Sequence, residues 1–461
     1  MRICQVWVVA SAIVLAGSIP AAAQTLTQTL EAAYSFNPTL NAARSNLRAI
    51  DENIAIARSG NRPTVSANVN STTSSTRSRL RNGTDVTTGT RPTTIDLTFT
   101  QPLFQGFTVR NTIRQRESAV KAERASLVDT EQLILLDAAT AFADVIETRQ
   151  IVSLRRNDVA FLGEQVRAAQ DRFEVGEGTR TDVSQAEARQ AEARSFLNFA
   201  ISDMETAEAT YFQITGLEAR TLRNNFNVER LLPKTVDSAV STGQQTHPAI
   251  EAALFNVDTT IFNVKAIEGE FLPSVGVTGE IGTAWNTGGG SALASVERAD
   301  SASFGLNVSI PLYQGGAVSA RVRQAKQQVG TARIQVDETR DLVRQRTLAA
   351  FATYVASVRT IQDARTGVFA QQLALQGVIE EQRVGQRTTL DVLDAQRDLI
   401  NAQITLVSAE RDKEVAAFSL LTTVGSLTAR SLGLAVQYYK PEEYTNVIRD
   451  KWFGFRTPDG R

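Results

Sequence analysis

At 461 residues with a formal net charge of −1, the chain has room for two or three ordinary domains and no basic excess to draw it to nucleic acid. One cysteine, Cys4, and one histidine, His247, leave no disulfide, no cysteine metal cluster and no histidine cluster to ligate a metal. Residues 1–23 read as a cleaved secretory leader: Arg2, an apolar run from Val6 to Gly17 too short to span a bilayer, then Ala21-Ala22-Ala23. Gln24 is then the first mature residue, and Cys4 leaves with the leader. No later run reaches about 18 apolar residues. The exported chain is therefore periplasmic, secreted or an outer-membrane barrel.

In chain order, helical patterning covers Leu26 to Arg58 and breaks at Asn37-Pro38, where the proline suits a first helical turn. After Pro63 the period changes. Val65, Ala67 and Val69 alternate with Ser66, Asn68 and Asn70; Ile95, Leu97 and Phe99 alternate with Asp96, Thr98 and Thr100. Period two predicts strands with one apolar and one polar face, at 64–70 and 94–101, joined by an exposed polar loop from Ser71 to Thr94. Pro102-Leu103-Phe104-Gln105-Gly106 ends the second strand. From about Val109 to Phe173 there is no proline and one glycine, Gly163, which predicts a helix of about 95 Å at ~1.5 Å per residue. Ala138, Val145, Val152, Val159, Val166 and Phe173 recur every seventh residue, the mark of a coiled-coil seam. Its partner is the return helix from Asp182 to about Thr215.

From about Val236 the scheme restarts. His247-Pro248 matches Asn37-Pro38, and Pro273 matches Pro63. Strands follow at 274–285 and 302–311 around a Gly288-Gly289-Gly290 turn, and Pro311-Leu312-Tyr313-Gln314-Gly315 matches Pro102 to Gly106 at an offset of 209. A second long helix runs from about Ala317 to Arg383, with a weaker seam of Thr347, Tyr354, Ile361, Val368, Leu375 and Gln382. Agreement at one offset over this length predicts an internal duplication: a first repeat at 24–232, a second at 233–429 and a tail at 430–461 outside it. His247, before a proline at a helix start, is structural.

The corners between the long helices are the most informative stretches. Glu174 to Arg189 (EVGEGTRTDVSQAEAR) and Arg383 to Asp398 (RVGQRTTLDVLDAQRD) both end a helix at Val-Gly and open the next with Thr-x-x-Asp. Thr179 and Thr388 supply the cap oxygen, and Asp182 and Asp391 face the positive helix end. Asp391 and Asp394 are three apart, so both carboxylates share one face. For Asp182 and Asp391 capping alone is a sufficient reason to be acidic. Asp394 lies a turn further in, where capping fades.

Four strands from one chain cannot close a membrane barrel, because an open edge is forbidden in lipid. Two chains would give eight strands and a filled interior; three would give twelve and room for a lumen. The polar helices must then lie in water beside the membrane.

The doubled Pro-Leu-aromatic-Gln-Gly, the corners FEVGEGTRTDV and QRVGQRTTLDVLDAQ, and the tail VQYYKPEEYTNVIRDKWFG resemble the TolC family of outer-membrane channel-tunnels over essentially the whole mature chain. The resemblance implies a mixed α and β fold: a homotrimer with a 12-stranded transmembrane β-barrel, continued by a long periplasmic α-helical coiled-coil barrel. It implies an exit duct in the outer membrane of a Gram-negative bacterium. Its partners would be outer-membrane lipid, a periplasmic adaptor (membrane fusion) protein and an inner-membrane transporter of the RND, ABC or MFS type. Drugs, other small molecules or proteins would be the cargo, with no cofactor and no nucleic acid.

It also places site residues. Asp391 and Asp394 would form stacked carboxylate rings at the periplasmic entrance, attractive to cations. Arg387 with Thr181 and Asp182 would latch neighbouring coils, with Gln382 where the best-known family member has a tyrosine. Val175-Gly176 and Val384-Gly385 would flank the grooves that take the adaptor's tip, although a helix end is reason enough for each glycine. Trp285 and Phe304 could join an aromatic belt. An enzyme is disfavoured, since paired acids for glycoside cleavage must face each other across a sugar and Asp391 and Asp394 are neighbours on one helix. A periplasmic coiled-coil scaffold or adaptor would explain the helices and leave the strands unexplained.

Overall fold

The computed structural model describes residues 24–223, 228–287 and 298–458. The expected leader at 1–23 and the Gly288-Gly289-Gly290 turn lie outside the described residues. Helices α1 (Leu26–Phe36) and α2 (Pro38–Ser59) meet at Asn37, whose Oδ1 accepts from the N–H groups of Thr39 and Leu40 at 2.9 and 3.2 Å. Helices α5 (Val236–Thr246) and α6 (Pro248–Glu268) meet the same way at His247, whose Nδ1 accepts from Ala249 N–H at 3.1 Å. Burial lowers the pKa of that imidazole, which favours the neutral form able to accept the bond. His247 is thus a cap.

Four long helices dominate: α3 (Thr108–Glu174), α4 (Arg180–Thr215), α7 (Ala317–Arg383) and α8 (Thr389–Thr423). The 67 residues of α3 and of α7 each span about 100 Å at ~1.5 Å per residue. Helix α3 packs along α4, and α7 along α8. The heptad seam explains the first pair: Ala138, Val145, Val152 and Val166 are buried, and only Phe173 at the corner emerges into solvent. In the second pair Thr347, Ile361 and Leu375 are buried at the matching seam positions. A waist core joins the hairpins where Leu26 and Leu30 of α1 and Leu135 and Phe142 of α3 meet Phe418 and Leu421 of α8 and Leu427 beyond it. No described helix is long and apolar enough to cross a membrane.

The sheet is antiparallel, in the order β2 (Thr64–Ser71), β4 (Asp85–Gln105), β6 (Ser274–Thr287), β7 (Arg298–Ser309). A two-residue strand pair, β1 (Gln24–Thr25) with β5 (Leu222–Arg223), lies apart from it. The register sorts the side chains into two faces. Val65, Phe99, Gly279 and Phe304 share one row, and Ala67, Leu97, Ile281 and Ala302 the row two residues on. The rows between carry Ser66, Thr98, Glu280 and Ser303, and then Asn68, Asp96, Gly282 and Ser301, on the opposite face. Phe304 stands 80% exposed on the apolar face, so no described residue covers it.

Three boundaries differ from the sequence reading. Ser71 to Thr94 is largely strand: β3 (Ser74–Arg79) pairs with the distal half of β4, turning at Gly83, which takes φ 85. Both faces of this hairpin meet water, so no alternation of hydrophobicity marks it; cross-strand pairs such as Ser74 with Thr90 and Arg77 with Asp85 hold it instead. Strand β4 also runs past Pro102 to Gln105, accommodating the proline with a bulge at Leu103. Strand β7 begins at Arg298 and ends at Ser309, before Pro311. Trp285 and Phe304 share the apolar face at different heights, since Trp285 pairs with Arg298 and Phe304 with Gly279.

Sheet and helices are joined through a close crossing. Gly106, at φ 58 between β4 and α3, lies so near Gly269 that a Cβ there would sit 2.1 Å from the Gly269 carbonyl oxygen. Thr108 and Asn111 then donate to the carbonyls of Ala266 and Lys265 at the end of α6. Gly106→Ala is expected to lose folded protein, because two backbones must separate. Gly83→Ala, with positive φ but open space around it, should cost only the ~1–2 kcal/mol of left-handed strain. Comparing the yield and thermal unfolding of the two variants checks this.

Candidate functional site

Both corners are built by their caps. At the first, α3 ends with Gly176 at φ 80, and Thr179 opens α4: Thr179 Oγ1 accepts from Asp182 N–H at 3.2 Å while Asp182 Oδ2 accepts from Thr179 N–H at 3.0 Å. At the second, Gly385 takes φ 79, and Thr388 and Asp391 exchange the same bonds at 3.3 and 2.8 Å. The threonine hydroxyls add a second bond to each carboxylate, at 2.7 and 2.8 Å. These hydrogen bonds hold both carboxyl groups below the ordinary aspartate range: chiefly the Thr179 hydroxyl at Asp182, and the Thr388 backbone N–H at Asp391. Both remain anions. Val175 and Val384, each 71% exposed, stand beside the two turn glycines as bare apolar tips.

Arg387 is engaged within its own corner, with Nε 2.8 Å from Glu381 Oε2 and Nη1 3.9 Å from Asp391 Oδ1. Gln382 reaches across the turn to donate to Thr389 Oγ1 at 3.3 Å. Among the described residues no hydrogen bond or ion pair brings Arg387 to Thr181 or Asp182 in the same chain.

Asp394 is not the free carboxylate that its place in the sequence suggests. Its Oδ1 lies 3.1 Å from Nη2 of Arg189, on α4, and 3.2 Å from Nη1 of Arg397. Two residues on, Gln396 donates to Asp158 Oδ1 of α3 at 3.1 Å in a buried bond. Burial raises the Asp158 pKa. Around these polar links, Leu393 packs with Leu162, Val166 and Ala186, while Val392 packs with Leu375 and Leu399. Helix α8 is therefore fastened to both hairpins at the level of Asp394, whose charge Arg189 of α4 and Arg397 of α8 balance together. Asp398, exposed one turn further on, continues the Asp391 and Asp394 stripe.

Sequence reasoning missed Arg189, Arg397, Asp158 and Gln396. Arg189 and Arg397 do lie in or beside the quoted corner stretches, but the pairing of Arg189 with Asp394 crosses 205 positions and leaves no local mark.

Comparison with known proteins gives consistent matches. A family model described as "Outer membrane efflux protein" fits the chain twice, at residues 29–217 and 239–426. Outer membrane efflux protein BepC of Brucella suis biovar 1 (strain 1330) is 44% identical over 460 residues, covering 98% of this chain and 97% of that protein. Outer membrane protein TolC of Escherichia coli (strain K12) is 25% identical over 425 residues, 89% of this chain and 84% of that one. The crystal structure of the Campylobacter jejuni CmeC outer membrane channel superposes with a TM-score of 0.71 at 16% identity, covering 92% of this chain and 89% of that one, a likeness of fold.

Proposed function

The chain belongs to the outer membrane efflux protein family, and from that membership we propose that it is the passive exit duct of a tripartite export system. It is an outer-membrane export channel of a Gram-negative bacterium. The observation that carries the finer reading is the sheet. Among the described residues strands β2 and β7 are both open edges, and one face of the sheet is an uncovered apolar surface. Unpaired backbone groups cost several kcal/mol each in hydrocarbon, so the edges must close on other copies. Three copies joined β7 to β2 give a 12-stranded barrel with the Asp96 and Glu280 face inward. The apolar rows from Val275 to Ile281 span about 20 Å of strand at ~3.3 Å per residue, and above them the same face turns polar, with Asp300 opposite Thr283 and Arg298 opposite Trp285. An apolar band bounded in this way is what lipid requires of the outer face of a barrel.

The doubled order of elements supports an ancestral duplication with the repeat bounds given above. Below the barrel, the paired long helices form the periplasmic part, and the two corners lie at its far end. There Asp391 and Asp394 line the narrow entrance. Arg387 reaches Thr181 and Asp182 of a neighbouring coil, exchanging Glu381 for them, and Gln382 ties the turn in place of the tyrosine. Val175-Gly176 and Val384-Gly385 receive the adaptor's tip, whose partner is an inner-membrane transporter of the RND, ABC or MFS type. The 44% likeness is to a protein named for efflux, against 26% and 27% for two named for protease secretion, and favours an efflux duct.

Orientation is tested by labelling. A membrane-impermeant maleimide on intact cells should modify Asn82→Cys, at the tip of the β3–β4 hairpin, and should reach Glu177→Cys at the first corner only after the outer membrane is opened. Labelling of Glu177→Cys from outside, or failure at Asn82→Cys in folded protein, contradicts the reading.

A further inference from the structure

The tail is not a loose end. Beyond α8 it climbs α2 toward the sheet, and its contacts advance in step. Tyr439 N–H donates to Tyr34 Oη, and Tyr444 Oη to Glu52 Oε1 from within α9 (Pro441–Ile448), each at 3.0 Å. Asp450 pairs with Arg58 at 2.8 Å, and the Lys451 carbonyl accepts from Arg62 Nη1 at 2.7 Å. The Arg62 guanidinium also lies 4.9 Å over the Trp452 ring. Arg62 immediately precedes Pro63 and β2, and Asn61 accepts from Gln101 of β4. The tail therefore ends at the foot of the sheet. There it presents Trp452, Phe453 and Phe455, which are 64%, 90% and 105% exposed.

Other exposed apolar side chains gather at the same height. Gln105, Ser274 and Ser309 are the paired feet of β4, β6 and β7. Beside those feet Leu103, Phe107, Phe271, Leu312 and Tyr313 are exposed, the last two at 93% and 87%. These side chains follow the foot of the sheet, the level at which a membrane-spanning barrel leaves the bilayer.

We propose that Trp452–Phe455 is a phospholipid-binding hook that seats Trp452, Phe453 and Phe455 among the headgroups of the periplasmic leaflet. The proposal rests on the outer-membrane reading above. Aromatic rings favour that boundary because their bodies are apolar and their edges or N–H groups tolerate water. Lys451, whose Nζ donates to the Arg456 carbonyl and closes the segment into a loop, and Arg456 flank it with positive charge, and Gly454, at φ 113, permits the tight turn between the two phenylalanines. Tying the chain's end to lipid and to Arg58 and Arg62 would hold α2 at a fixed height under the barrel.

The test uses the full chain in phosphatidylethanolamine and phosphatidylglycerol vesicles, with Trp7→Phe and Trp285→Phe leaving Trp452 as the single tryptophan. Lipid brominated near the headgroup should quench Trp452, and aqueous iodide should not. Phe453→Ser/Phe455→Ser should lose the lipid quenching while the oligomer persists. Trp452 open to iodide and untouched by bromolipid overturns the proposal. So does Trp452 shielded from both, which would mean that a second copy covers it. A parallel protein with Trp7→Phe and Trp452→Phe reports on the sheet through Trp285. If Trp285 is quenched by bromolipid and Trp452 is not, the hook alone fails; if neither is quenched, the membrane reading fails with it.

Discussion

Arg189→Ala raises the resting conductance of the channel and makes it more selective for cations. The two effects have one cause. Arg189 holds Asp394 from α4 at 3.1 Å, fastening α8 to the neighbouring hairpin and sharing with Arg397 the balance of the carboxylate's charge. The pair is only partly buried, at 30% and 39% exposure, so it is worth ~0.2–1 kcal/mol. In the proposed trimer three such pairs would bias a closed entrance by ~0.6–3 kcal/mol, about a 3-fold to 150-fold change in the ratio of open to closed channels. Removing the arginine loosens the entrance and exposes Asp394 at once. Arg189→Lys should restore much of both properties. A variant with wild-type conductance and selectivity would mean the pair is an idle surface contact.

Asp391→Ala/Asp394→Ala abolishes block by a multivalent cation added on the periplasmic side. The single variants divide the effect. Asp391 faces only its cap and a distant Arg387, so Asp391→Ala weakens block with little change in step size. Asp394→Ala releases Arg189 and enlarges the steps. Asp391→Asn separates charge from capping, because an amide oxygen still accepts from Thr388 N–H. Loss of block in Asp391→Asn assigns the role to charge; retained block leaves Asp391 a cap. Because its hydrogen bonds hold the Asp391 pKa below the ordinary value, the carboxylate stays ionised as pH falls into the range where free carboxylates protonate. Block should therefore persist in mildly acidic solution.

The sequence revealed what is periodic or capped, and hid what is tertiary. Long helices without breakers announced α3 and α7, Thr-x-x-Asp announced both corners, and alternation announced the strands wherever one face is apolar. The β3–β4 hairpin escaped because water meets both of its faces, so Ser, Thr and Arg alternate with one another. At the site, Asp391 was legible through its cap. Asp394 was legible as an acid, but its charge balance was not, because Arg189 lies on another helix and only packing brings the two together. Arg387 likewise pairs within its own corner with Glu381, six residues away, a local contact that the capping pattern did not announce. The foot of the sheet was half visible: the doubled Pro-Leu-aromatic-Gln-Gly marked it, and nothing local showed that the tail would climb to the same height.

Single-channel recording of the assembled protein in a planar bilayer tests the central claim most directly. The account predicts small cation-selective steps, blocked by a multivalent cation from one side only, and larger steps from Arg189→Ala and Arg387→Ser. A stably folded oligomer that gives no steps in the wild type or in either variant would contradict it.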